Sequence, residues 1–207
     1  MSGRVVAVAQ TYIFGLSELE AMVCATEQEV VGGDGNSPIL TDNINFFTKS
    51  FLISLCAHLE MCIKEIVFAI AKDIDERALA ASIPTALIEW RYNTKKKGDG
   101  SAQGVRLEIG MTRKEVDDLV SGNVYRTKEA LAYVGVDLAS DKATWEMWKE
   151  LIQTIVTRRN NIVHHNDDAS DLSLGDIRQY LSSARSYIDF IVNACQATGS
   201  DSLEISS

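Results

Sequence analysis

Two of the chain's three histidines fall in the run Arg158-Arg159-Asn160-Asn161-Ile162-Val163-His164-His165. Histidine titrates at about pH 6.5, so near neutrality it can take or give a proton. Arginine stays charged and holds phosphate oxygens in a planar fork. Together, these residue types suit acid–base chemistry at a phosphodiester. Their spacing sets a condition. On a regular helix, residues five apart differ by about 140° around the axis, so Arg159 and His164 do not share a face. Asn160 and His164 do share one, and Arg158 and His165 share another. Two arrangements could bring the functional groups together: a loosening of the helix near Asn166, or completion of the site by a second copy across a two-fold axis.

The run closes a helix whose Trp145, Trp148, Ile152, Ile155, Arg159 and Ile162 recur at steps of three and four, the spacing of one core-facing stripe. Arg159 therefore occupies a core position, where an unpaired charge would cost several kcal/mol. An acidic partner is required. An earlier helix, capped by Asp42 or Asn43 and running to about Asp73, is apolar on most sides. Phe47, Phe51, Leu55, Leu59, Cys62, Ile66 and Ala69 form one stripe, and Ile53, Cys56, Ile63, Val67 and Ile70 another. Such a helix sits in the middle of a bundle. Glu60 lies on the second stripe, between Cys56 and Ile63, and is the natural partner of Arg159. An internal ion pair that fixes the bundle's register is the purely structural account of both residues.

The string Arg158 to Asp167, at the end of one helix and followed by a last long helix, resembles the Arg-x4-His signature of the HEPN superfamily, and in its longer context the RiboL-PSP type of HEPN domain. The segment from Ser54 to Ile66, with His58, Glu60, Lys64 and Glu65, is similar to the same type. The resemblance covers most of residues 42 to 198. It implies an all-α, HEPN-like single-domain bundle of about five to seven helices, and a metal-independent RNA endonuclease in a toxin–antitoxin or antiviral defence setting. It also implies a composite active site where two such helices face each other in a homodimer. His164 would be the acid and base, Arg159 the phosphate stabiliser and Asn160 the polar residue that often follows the arginine. Glu60 would support Arg159, and Arg158 and His165 would be rim contacts. Cleavage would leave 2′,3′-cyclic phosphate ends. The partners implied are a selected RNA, a second copy, and an antitoxin or other regulatory protein; no cofactor and no metal is expected. HEPN toxins that pair with a minimal nucleotidyltransferase carry a tyrosine two residues after the histidine, where this chain has Asn166. The alternative is a catalytically inactive HEPN-like binding or dimerisation module.

The 207 residues fit one domain able to bury its own core. We expect that domain over residues 1–198, with its motif-bearing core at 42–198 and a flexible tail at 199–207. Hydrophobic residues at 46% and charged ones at 24% are values of a globular chain. A net charge of −9 and a pI near 4.8 exclude general coating of nucleic acid, so any RNA contact must be local. An acidic surface would also suit an enzyme acting on a small nucleotide, but no phosphate loop accompanies it. Cys24, Cys56, Cys62 and Cys195 form no C-x-x-C pair and read as reduced thiols of a cytoplasmic protein. Val5 to Ala9 after Arg4 begins like a leader, but Gln10 and Thr11 interrupt it. The apolar stretch from Phe46 to Ala71 carries Lys49, His58, Glu60, Lys64 and Glu65, which rules out a membrane span. Adjacent His164 and His165 point apart, so together with Asp167 and Asp168 they make a poor metal site. His58 reads as a satisfied core histidine.

Along the chain, residues 1–15 show no clear period, and Ser17-x-x-Glu20 predicts a capping box opening a first helix to about Val31. Gly32 to Pro38 should stop it. Short helices are predicted at Asp75–Ala81 and Pro84–Tyr92, then a loop at Asn93–Gly104 whose Lys95-Lys96-Lys97 could reach phosphates or simply be solvated. Thr112-x-x-Glu115 predicts another capping box, Gly122-Asn123 a break, and Val124–Val134 a helix ended by Gly135. Ser140 or Asp141 opens the motif helix. Ser173-x-x-Asp176 caps a last helix with Leu174, Ile177, Leu181, Ala184, Ile188, Ile191 and Cys195 in one unbroken seam.

Overall fold

The computed structural model of the chain describes residues 2–32, 38–92, 105–165, 169 and 171–204, with side chains described for 3–32, 38–92, 105–164, 169 and 171–198. The turn at 33–37, the lysine loop and the segment Asn166 to Asp168 lie outside the described residues, as does the side chain of His165. Eight helices form among the described residues: α1 (Ser2–Val31), α2 (Pro38–Asp42), α3 (Ile44–Ala81), α4 (Thr85–Tyr92), α5 (Arg113–Leu119), α6 (Val124–Tyr133), α7 (Lys142–His165) and α8 (Leu174–Glu204). The fold is all-α, with eight helices where five to seven were expected.

Several boundaries differ from those the sequence predicts. Helix α1 starts at Ser2, and Ser17 is no cap: its hydroxyl donates to the Ile13 carbonyl inside the helix. Val5, Ala9, Leu16, Leu19 and Val23 all bury, so the stripe does run through the first fifteen residues. Gly3, Gly15 and extra apolar residues off the stripe hide it. Helix α3 continues through Asp75 to Ala81, roughly 57 Å in all. Asp75 opens no new helix; its carboxylate accepts from the Ile109 and Gly110 amides and pins the segment before α5. The αL residue Ser82 ends α3. Pro84 precedes α4 and bridges to Arg106. Asn43 stands at the N-cap of α3 without capping it, its amide donating to Ile39 instead. Helix α8 runs on to Glu204, past the predicted start of the tail.

The other boundary signals act as their chemistry dictates. Thr112 and Glu115 form a reciprocal capping box, and Ser173 with Asp176 does the same for α8. Asn123 caps α6, Asp141 accepts from Thr144 at the start of α7, and Gly135, at φ +85°, stops α6.

Helix α3 is the axis of the bundle, packed by α1, α7 and α8, with α5 and α6 closing one side. Every residue of the α8 seam from Leu174 to Cys195 is buried, and α1 lies along that helix. On α7, Trp145, Ile152, Ile155 and Ile162 are buried, and Trp148 packs against Tyr187 and Phe190. Among the described residues no helix is long and apolar enough to cross a membrane.

Candidate active site

The stripe that buries Ile152, Ile155 and Ile162 carries Arg159 inward to the middle of α3. There its guanidinium lies 3.5 Å from the Glu60 carboxylate, and both side chains keep 23% exposure. The pair is shielded but reachable. Arg159 also donates to the Asn160 side-chain oxygen at 3.0 Å, so Asn160 helps aim the guanidinium.

Glu60 serves a second cation. Lys64, one turn on along α3, lies 2.9 Å from it and 3.5 Å from Asp117 of α5. Burial works against the Lys64 ammonium, but the hydrogen bonds and charges of Glu60 and Asp117 outweigh it and hold its pKa above that of an ordinary lysine. The Cys56 thiol completes the floor of the site. Burial pushes it up to about 11, opposed in part by Arg159 beside it, so it stays protonated near neutrality. The α5–α6 connection passes overhead at Gly122. A Cβ there would stand 3.6 Å from Glu60 and 3.8 Å from Arg159, in ordinary van der Waals contact with both.

His164 is exposed in the last turn of α7, about 140° around the axis from Arg159. The helix stays regular through His165, so no loosening before Asn166 brings the two together within one chain. Arg158 points elsewhere: it pairs with Asp171 at the edge of an open groove on the solvent side of α7. The structure thus gathers Glu60, Arg159 and Asn160, and turns His164 and Arg158 away from the Glu60–Arg159 pair. His58 is half-buried; its Nδ1–H donates to the Ser54 carbonyl at 2.8 Å and its ring packs under Gly15.

Sequence reasoning missed Lys64 and Asp117 as partners in this network. Lys64 stands four residues after Glu60, a spacing that pairs side chains on a helix and could have revealed it. Nothing local marks Asp117. Residues 33–197 match the family model of the RiboL-PSP-HEPN domain. The chain matches no curated protein and no solved structure.

Proposed function

The chain belongs to the RiboL-PSP-HEPN family, and from that membership we propose that it is a metal-independent RNA endonuclease whose active site is completed where two copies meet. The observation that supports this reading is the disposition of α7. One copy presents an inward Arg159 and an outward His164 on a helix that stays regular, so a single chain does not converge them. Two α7 ends facing each other across a two-fold axis would set two arginines and two histidines around one phosphate.

In that setting one His164 takes the proton of the ribose 2′-hydroxyl, and the 2′-oxygen attacks phosphorus. The bond to the 5′-oxygen breaks, and the His164 of the second copy protonates that leaving oxygen. The products are a 2′,3′-cyclic phosphate and a 5′-hydroxyl end. Arg159 stabilises the charge gathering on the phosphate oxygens, aimed by Asn160 and balanced at rest by Glu60. Arg158 and His165 are rim residues in this scheme. The activity belongs to a toxin–antitoxin or antiviral defence setting in the cytoplasm, restrained by an antitoxin or other regulatory protein.

A second reading has its own observation. Arg159 is already paired with Glu60 inside one protomer, which suits a catalytically inactive HEPN-like binding or dimerisation module. One experiment separates the two: labelled total RNA incubated in EDTA with the parent protein and with folded His164→Ala, Arg159→Ala and Arg159→Lys variants. The nuclease reading expects cyclic-phosphate ends from the parent and at least a hundredfold slower cleavage by each variant, since lysine keeps the charge without the fork. Equal cleavage by all four proteins, or none by the parent, would leave the inactive module.

A further inference from the structure

The groove beside Arg158 has a volume of about 540 Å³, within the range of sites that hold a small ligand. Its floor is the solvent side of α7. Tyr125, at the first turn of α6, and Tyr180 of α8 contribute to its walls, with Asp171 and Leu172 from the connection between α7 and α8. Gln153 and Thr157 line it, and with Asn160 and His164 they follow steps of four, three and four along α7. The groove and His164 therefore lie on one strip of the helix, with about 10.5 Å of rise between Thr157 and His164.

The contents of the groove select its ligand. Tyr125, 59% exposed, and the half-buried Tyr180 offer ring faces on which a base can stack. Lys149 and Arg158 are each held by a carboxylate, Glu146 and Asp171, so the lining gathers no excess positive charge for a phosphate. Glu150 and Asp171 bring carboxylate acceptors to the lining, and the Asn161 amide can both donate and accept. Carboxylate acceptors favour a base that carries an exocyclic amino group.

We propose that this groove takes one unpaired base of the RNA beside the cleaved phosphate, prefers adenine, cytosine or guanine to uracil, and thereby sets where the strand is cut. The inference rests on the nuclease reading for the position of the cut, while the binding it asserts can be measured without cleavage. Tyr125 and Asn161 are specificity residues in this account, and neither exchanges a proton with the substrate.

The test uses full-length His164→Ala protein and fluorescein-labelled adenosine, cytidine and uridine pentanucleotides, read by anisotropy. The adenosine and cytidine probes should bind more tightly than the uridine probe. Tyr125→Ala should weaken them by roughly fivefold to 150-fold and Tyr125→Phe should restore them, as loss and return of one stacked base require. Asn161→Ala should narrow the gap between cytidine and uridine. With His164 intact, Tyr125→Ala should spread cleavage to uridine-flanked positions. Active parent protein with unchanged sites and affinity in the Tyr125 variants would overturn the base site and leave the nuclease standing. Tyr125-dependent binding without any cleavage by the parent would do the reverse. If Tyr125→Ala instead turned a dimer into monomers in sedimentation, the groove would be a contact between copies and the base site would be overturned.

Discussion

In the proposed nuclease, Arg159 has to meet two demands, a stable place in an apolar stripe and a guanidinium that can reach a phosphate. Its partners reconcile them. Glu60 balances the charge at 3.5 Å, while Lys64 sits closer to the same carboxylate at 2.9 Å. If a phosphate drew Arg159 away, Glu60 would keep Lys64 as its cation, so the partly shielded carboxylate would not be left uncompensated. A double-mutant cycle of Glu60→Gln with Arg159→Met, measured by urea denaturation, should give a coupling of about 0.5–1 kcal/mol for this partly exposed pair. In a Lys64→Met background the coupling should rise, because the carboxylate then has one partner instead of two. Additive effects in both backgrounds would show that the pair contributes nothing to stability. The pairing of Glu60 with Arg159 was readable from two stripes, since each places its residue inward by local periodicity. The part played by Asp117 was not, because it depends on how α5 lies across α3.

At the scale of the elements, helix ends are where short-range chemistry decides most. Glu115 and Asp176 are held below the usual carboxylate range by hydrogen bonds from the capping Thr112 and Ser173, and Asp141 by those from Thr144. A lowered folded pKa means that the unfolded chain binds the proton more readily. The caps therefore contribute fully above the ordinary carboxylate values and lose that contribution as pH falls through the lowered ones. Thermal melts between pH 7 and pH 3 should show acid destabilisation that is smaller in a Glu115→Gln, Asp176→Asn double variant, whose caps no longer titrate. An equal loss in both proteins would place the acid sensitivity elsewhere. The false cap at Ser17 shows the limit of such signals. A serine three residues before a glutamate also occurs inside a helix, where its hydroxyl bonds back to the preceding turn.

For the whole molecule, a charge of −9 restricts how RNA can be held. If two Arg159 side chains carry the phosphate contact in a composite site, the affinity for single-stranded RNA should fall with salt at a log–log slope of about −1.4. Anisotropy titrations from low to high salt would measure it, and a slope several times steeper would point to an extended basic track in place of a local site. The sequence by itself determined the all-α class, most helix ends and the inward position of Arg159, because caps, glycine breaks and apolar periods act within a few residues. It determined the outward position of His164 for the same reason: five steps along a helix turn the side chain by a set angle. Only the tertiary structure decided that α1 is continuous from Ser2, that Asp75 anchors the segment before α5, that Lys64 and Asp117 share the charge of Glu60, and that Tyr125 and Tyr180 help wall a groove beside α7. These contacts join residues far apart in the chain, and their partners are chosen by how the helices pack, which no local pattern encodes.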